Sequence, residues 1–142
     1  MSGPADVSRK SPPRLDAADK ATGRARYADD LRLPGMLRAA IHTSPHAHAR
    51  IVAYRTDAAR AIPGVHAIVT GAELAATRWG GIVKDETMLA RGKVRYVGEP
   101  VAAVAAIDAE TALRAAAAIE VDYEPLPPVL APDAALARDA PI

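Results

Sequence analysis

Cysteine and phenylalanine are both absent from the 142 residues, tryptophan occurs once and tyrosine four times. Without cysteine there is no disulfide framework, no thiolate-held zinc or iron–sulfur cluster and no thiol nucleophile. Without phenylalanine the core falls to Leu, Ile and Val set among small residues, for 34 of the residues are Ala. Neither sign of charge is in excess: 18 Lys and Arg face 17 Asp and Glu, a net charge of +1. That balance leaves no electrostatic footprint for nucleic acid. No apolar run nears the ~20 residues of a membrane-spanning helix. The longest, residues 101–107, suits a buried strand. The polar, proline-containing start has no apolar stretch of the secretory type, which favours a cytoplasmic location.

What is present is one domain's worth of chain. Residues 1–13 read as a disordered leader, 14–128 as the folded domain and 129–142 as a linker. Leu33-Pro34-Gly35 is a turn signal. Residues 36–43 follow as a strand, with Leu37, Ala39 and Ile41 on one face and Arg38 and His42 on the other. Residues 51–54, a short helix over 57–62 capped by Thr56, and residues 65–69 form a strand–helix–strand unit, with Pro63-Gly64 ending the helix. Strand character resumes at 94–97 and breaks at Gly98-Glu99-Pro100. Residues 101–107, almost wholly apolar, read as a strand covered on both faces. Asp108 caps a helix over 109–118, and 119–123 alternates Ile119, Val121 and Tyr123 with Glu120 and Asp122. Two such units define an α/β (α+β) domain with a small mixed sheet. The strands are too few for a doubly wound nucleotide fold.

The chemistry-bearing residues are scattered. On a helix His42 and His46 would share a face, but Pro45 forbids one; on an extended segment His46 and His48 share a face, but no third ligand lies nearby in sequence. They read as turn residues bonding backbone. Glu120, Asp122 and Glu124 read as a solvated strand face, because three buried like charges would be costly. Glu99, fixed in its bend, reads as a hydrogen-bonding anchor. There is no phosphate-cradling glycine loop and no nucleophile elbow. Asp19-Lys20-Ala21 superficially matches a lipoyl-carrier signature, but its flanks lack the hairpin such a lysine needs. Trp79 and Tyr96, without basic residues interleaved, read as packing residues rather than a base-stacking platform.

Several segments recur together in a familiar order. They are the run from Arg14 through Asp16, Lys20, Gly23 and Tyr27 to Asp30, then Leu33-Pro34-Gly35-Met36-Leu37, Ser44-Pro45-His46-Ala47-His48, Pro63-Gly64-Val65, Val94-Arg95-Tyr96-Val97-Gly98-Glu99-Pro100-Val101 and Val121-Asp122-Tyr123-Glu124-Pro125. Over about residues 14–140 the set resembles the N-terminal α/β-hammerhead domain of the xanthine dehydrogenase/aldehyde oxidase (molybdenum hydroxylase) large subunit. The resemblance implies a complete enzyme that oxidises aldehydes, purines, N-heterocycles or carbon monoxide with oxygen drawn from water. It implies molybdopterin-molybdenum and iron–sulfur clusters, held by later domains and by iron–sulfur and FAD subunits, and none of them by this chain alone. No position here matches the pterin loops or the catalytic glutamate of those domains, so no catalytic, cofactor-binding or metal residue carries over. The expected role is a non-catalytic scaffold packed on the cofactor-binding domains or subunit. The expected contact surface is the loop 71–89 and the bend 95–100, with Trp79, Arg95, Tyr96, Gly98, Glu99 and Pro100. A free-standing interaction module without redox work is the other reading. A small enzyme built on Glu99 and the histidines is the third, and it requires those side chains to converge.

Overall fold

Both expected strand–helix–strand units form, and each begins in one sheet and ends in another. The computed structural model describes residues 14–75 and 77–140. In chain order the elements are α1 (Ala17–Ala21), β1 (Arg38–Thr43), β2 (Ala49–Arg55), α2 (Asp57–Arg60), β3 (Val65–Thr70), β4 (Lys93–Val94), β5 (Pro100–Ala106), α3 (Ala109–Ala117), β6 (Glu120–Pro125) and α4 (Pro132–Ala135). The first sheet has the order β1-β5-β3 and the second β4-β2-β6. Every pairing is antiparallel. The small mixed sheet expected from sequence is therefore two three-stranded antiparallel sheets. The reason is length. A parallel crossover within one sheet takes about a dozen residues or more, and α2 has four. It hands the chain from the second sheet to the first, and α3 hands it back.

Small side chains set the packing. The inner face of the first sheet presents Ala40, Ile68, Ala102, Val104 and Ala106 to Ala112, Ala115 and Ala116 of α3, with Ile119 closing the cluster. A second core gathers Ala49, Ile51, Ala90, Val94 and Val101. Strand β5 serves both: Val101 enters the second core, while Ala102, Val104 and Ala106 face α3. The N-terminus of α3 is capped as expected, Asp108 accepting from the Thr111 N–H at 2.7 Å. That bond holds the Asp108 carboxyl below its ordinary value. Thr56 does not cap α2; its hydroxyl instead accepts from Arg60 Nε at 3.1 Å.

Strand β1 turns opposite to what its composition suggests. Arg38, Ala40 and His42 face α3, in register with Ala106, Val104 and Ala102 of β5. The stripe Leu37, Ala39 and Ile41 is exposed. His42 is drawn inward, its Nδ1 bonding the Ala116 carbonyl near the end of α3 at 2.8 Å, a carbonyl that also accepts from the Ile119 N–H at 3.4 Å. Strand β6 behaves as read. Its acidic residues face solvent and pair with arginines of β2: Arg50 with Glu124 at 3.1 Å, and Arg55 with Glu120 at 2.9 Å and with Asp122.

The expected strand at 94–97 is cut to Lys93–Val94, leaving Tyr96 and Val97 exposed. The segment read as a linker carries α4. The chain divides into two compact units, one through Pro34 and one from Gly35 onward. In the first, Lys20 lies on α1 and pairs with Asp16 at 2.6 Å, so it is not at a hairpin tip. The leader expected at 1–13 lies outside the described residues. Among the described residues no helix is long and apolar enough to cross a membrane.

Candidate functional site

The bend at 95–100 is built around one buried carboxylate. Glu99 is 7% exposed. It accepts from the Arg95 N–H at 2.5 Å and from the Arg95 guanidinium at 3.2 Å. Gly98 takes φ +90°, a region that disfavours a side chain, and so turns the chain back. The Gly98 N–H donates to the Ser44 carbonyl at 2.8 Å, and the Glu99 carbonyl accepts from the Ser44 N–H at 2.9 Å. Ser44 is itself buried, its hydroxyl accepting from the His46 N–H at 3.0 Å. The Ser44-Pro45-His46 turn and the 95–100 bend thus brace each other, and Glu99 is the anchor its position suggested.

Above this brace lies an open groove lined by Arg78, Glu86, Lys93, Arg95, Tyr96 and Glu99, with Asp85 and Thr87 at its side. The loop over residues 71–89 forms its far wall. An antiparallel bridge between Trp79 and Glu86, with N–O distances of 2.8 and 3.0 Å, pinches that loop into a hairpin. The loop's base is tied to β5, Ala90 N–H donating to the Pro100 carbonyl at 2.7 Å. Gly71 passes so close to the Ala90 carbonyl that a Cβ there would collide with its oxygen. Trp79 lines a separate apolar cavity of about 140 Å³ with Leu74, Met88 and Leu89. Trp79 and Tyr96, read as packing residues, are 52% and 55% exposed. Of the expected contact residues, then, Arg95, Tyr96 and Glu99 share one groove and Trp79 borders it. Gly98 and Pro100 shape the backbone beneath.

The histidines do not join Glu99. His48 Nδ1 bonds the Pro127 carbonyl at 2.7 Å. His46 sets its ring edge-on to Tyr123, centroids 4.9 Å apart. With His42 on Ala116 and Glu99 on Arg95, each group is spent on a separate structural contact. Among the described residues no three His, Asp or Glu side chains are grouped to hold a metal ion. Tyr54 shows how dry the second core is. Its hydroxyl donates to the Ala90 carbonyl at 3.2 Å, and burial, aided by nearby Tyr123, pushes its pKa up to about 12.

One surface was not anticipated. The outer face of the first sheet, opposite α3, carries Ala39 and Ile41 of β1, Ala103 and Ala105 of β5, and Ala67 and Val69 of β3. The signal was present in residues 101–107, whose two faces are equally apolar.

The family model describing the α/β hammerhead domain of aldehyde oxidase and xanthine dehydrogenase matches residues 22–127. The chain belongs to this family. The hammerhead is 40% identical over 139 residues to the xanthine dehydrogenase molybdenum-binding subunit of Escherichia coli, covering 89% of this chain and 18% of that protein. It is 41% identical over 127 residues to the carbon monoxide dehydrogenase large chain of Afipia carboxidovorans, covering 84% and 15%. Its fold superposes on the crystal structure of a Cu,Mo-CO dehydrogenase with a TM-score of 0.84 at 39% identity, over 90% of this chain and 17% of that one. The hammerhead therefore spans less than a fifth of the length of these relatives.

Proposed function

We propose that this chain is the hammerhead part of a molybdenum-cofactor-dependent hydroxylase or dehydrogenase acting on an aldehyde, purine, N-heterocycle or carbon monoxide. In this reading it is a non-catalytic scaffold, and the reacting atoms lie on the cofactor-binding domains or subunit. Iron–sulfur and FAD subunits complete the electron path, in the cytoplasm. The observation that carries the proposal is how the polar side chains are used: Glu99, His42 and His48 all hold the fold together. The residues present do not fit a pterin-bound molybdenum. The polar groove beside the 95–100 bend balances Arg78, Lys93 and Arg95 against Asp85, Glu86 and Glu99, and its floor carboxylate is already paired. No step of the oxidation is therefore derived through this chain.

The same groove, with half-exposed Tyr96 at its lip, is proposed as a contact surface for a neighbouring domain or subunit. Mixed charge at an exposed rim gives register and partner choice more than affinity. The test is co-expression with the remaining cofactor-binding part of the large subunit from the same genome. The combined preparation is expected to form a complex and oxidise substrate, and Tyr96→Asp to weaken the complex. Substrate turnover by the isolated 142-residue chain would refute the scaffold reading.

A further inference from the structure

The first sheet has two apolar faces: α3 covers the inner one, while the outer one is covered fully only at Val101, which enters the second core, and stays partly open at Ala103, Ala105 and Val69. In register across its strands the outer face forms two rows: Ile41, Ala103 and Val69, and beside it Ala39, Ala105 and Ala67. None of the six is charged or polar. Ile41 is 50% exposed. The second sheet shows how this chain treats a face meant for water: it lines it with Arg50, Arg55, Glu120 and Glu124 in ion pairs. The inner face of the first sheet shows what its composition accommodates: Ala40, Ala102, Val104 and Ala106 take the alanine-rich face of α3.

The outer rows repeat that inner pattern. Alanines form the floor along β5, and Ile41 and Val69 rise on either side of Ala103. Strands about 4.8 Å apart place those two walls roughly 10 Å from each other. An α-helix with its side chains is about 10 Å across. We propose that the outer face of the first sheet receives an amphipathic helix, with small apolar residues on its contact stripe, from the remainder of the large-subunit polypeptide. The inference rests on the scaffold reading above, and the relatives' length supplies the partner, since more than four-fifths of each lies beyond the matched region. Contiguity sets this patch apart from the singly exposed apolar side chains elsewhere, and a contiguous exposed apolar patch marks an interaction site.

The experiment is pull-down of the co-expressed cofactor-binding remainder by wild-type chain and by the Ile41→Asp/Val69→Asp double variant. Ile41 is half exposed and Val69 partly buried on that face, and a circular dichroism spectrum of the isolated variant matching the wild type shows that the fold is kept. Two carboxylates buried in an apolar contact should weaken association about a hundredfold. Hydroxyl-radical footprinting of the wild-type complex, which needs no variant, should show Ile41 and Val69 protected relative to the free chain. Unchanged association of the double variant, or unprotected Ile41 and Val69 in a formed complex, overturns the face assignment and leaves the scaffold reading intact. Protection of these residues in a dimer of the isolated chain overturns it in favour of a second copy. Failure of the wild-type chain to associate at all overturns the scaffold reading itself.

Discussion

Replacing Glu99 tests the brace between the 95–100 bend and the Ser44 turn. In Glu99→Ala the Arg95 N–H loses its acceptor at a part-buried site beneath an exposed bend. An unsatisfied buried donor costs about 1–3 kcal/mol. The Arg95 guanidinium is half exposed, so its lost ion pair adds only about 0.5 kcal/mol. The sum is about 1.5–3.5 kcal/mol, which for a domain of this size lowers the melting temperature by roughly 8 °C. Glu99→Gln keeps a carbonyl oxygen for the N–H and loses only charge assistance. Its cost should be about 1 kcal/mol, or roughly 3 °C. Thermal unfolding of the three proteins followed by circular dichroism gives the ranking directly. If Glu99→Ala melts with the wild type, the carboxylate does not hold the bend and the brace has been misassigned. If Glu99→Gln is as damaged as Glu99→Ala, the charge on the guanidinium carries the bend rather than the backbone acceptor.

Three further outcomes follow from single contacts. Gly71→Ala should fail to give soluble folded protein, because its Cβ would run into backbone at the Ala90 carbonyl oxygen, whereas Gly81→Ala meets nothing within 4 Å and should express and melt normally. In acid, Asp108 and Glu73 should contribute to unfolding: hydrogen bonds from Thr111 and Thr70 hold both carboxyls below their ordinary values of 3.8 and 4.5. Folding is therefore favoured at pH above those values, and the gain disappears as pH falls through the lowered pKa. Asp108→Asn, which keeps a cap without the titration, should flatten the acid limb of a melting-temperature profile. In alkali, Tyr54 has its pKa raised from 10.0 to about 12, so the stability it confers is present below pH 10 and is lost as pH rises toward 12. Burial raises the pKa of Tyr123 as well, so phenolate absorbance in the near ultraviolet should show two tyrosines ionising late, and Tyr54→Phe should remove the step near pH 12 while leaving that of Tyr123.

Much of the fold was legible because local rules and tertiary demands agreed. Asp108 before an alanine-rich helix, Gly98 at a sharp reversal and the alternation of β6 are each explained by residues within a few positions. The division into two sheets was not legible in the same way. It depends on where β1 and β3 pair, and both pair with β5, a strand distant from each along the chain. The 95–100 bend could be read as an anchor from Gly98-Glu99-Pro100 alone, but its partner Ser44 is a distant turn that no spacing rule supplies. The groove's other wall likewise comes from a loop closed by the Trp79–Glu86 bridge, a contact with no motif behind it.

Strand β1 shows where alternation stops being informative. Period-two patterning says which residues share a face and leaves open which face is inside. Leu37, Ala39 and Ile41 form the more apolar stripe, yet Ala40 goes inward with Arg38 and His42. The inward choice goes with His42, whose ring bonds the Ala116 carbonyl near the end of α3. An apolar stripe on the open side of a sheet then raises the free energy of the isolated chain in water unless something covers it. Residues 101–107 point to the same deficit independently, since their composition is that of a strand buried on both faces, and this chain fully buries one face but only the Val101 end of the other. In the hammerhead the mismatch between sequence pattern and observed burial is thus the observation on which the proposed partner rests.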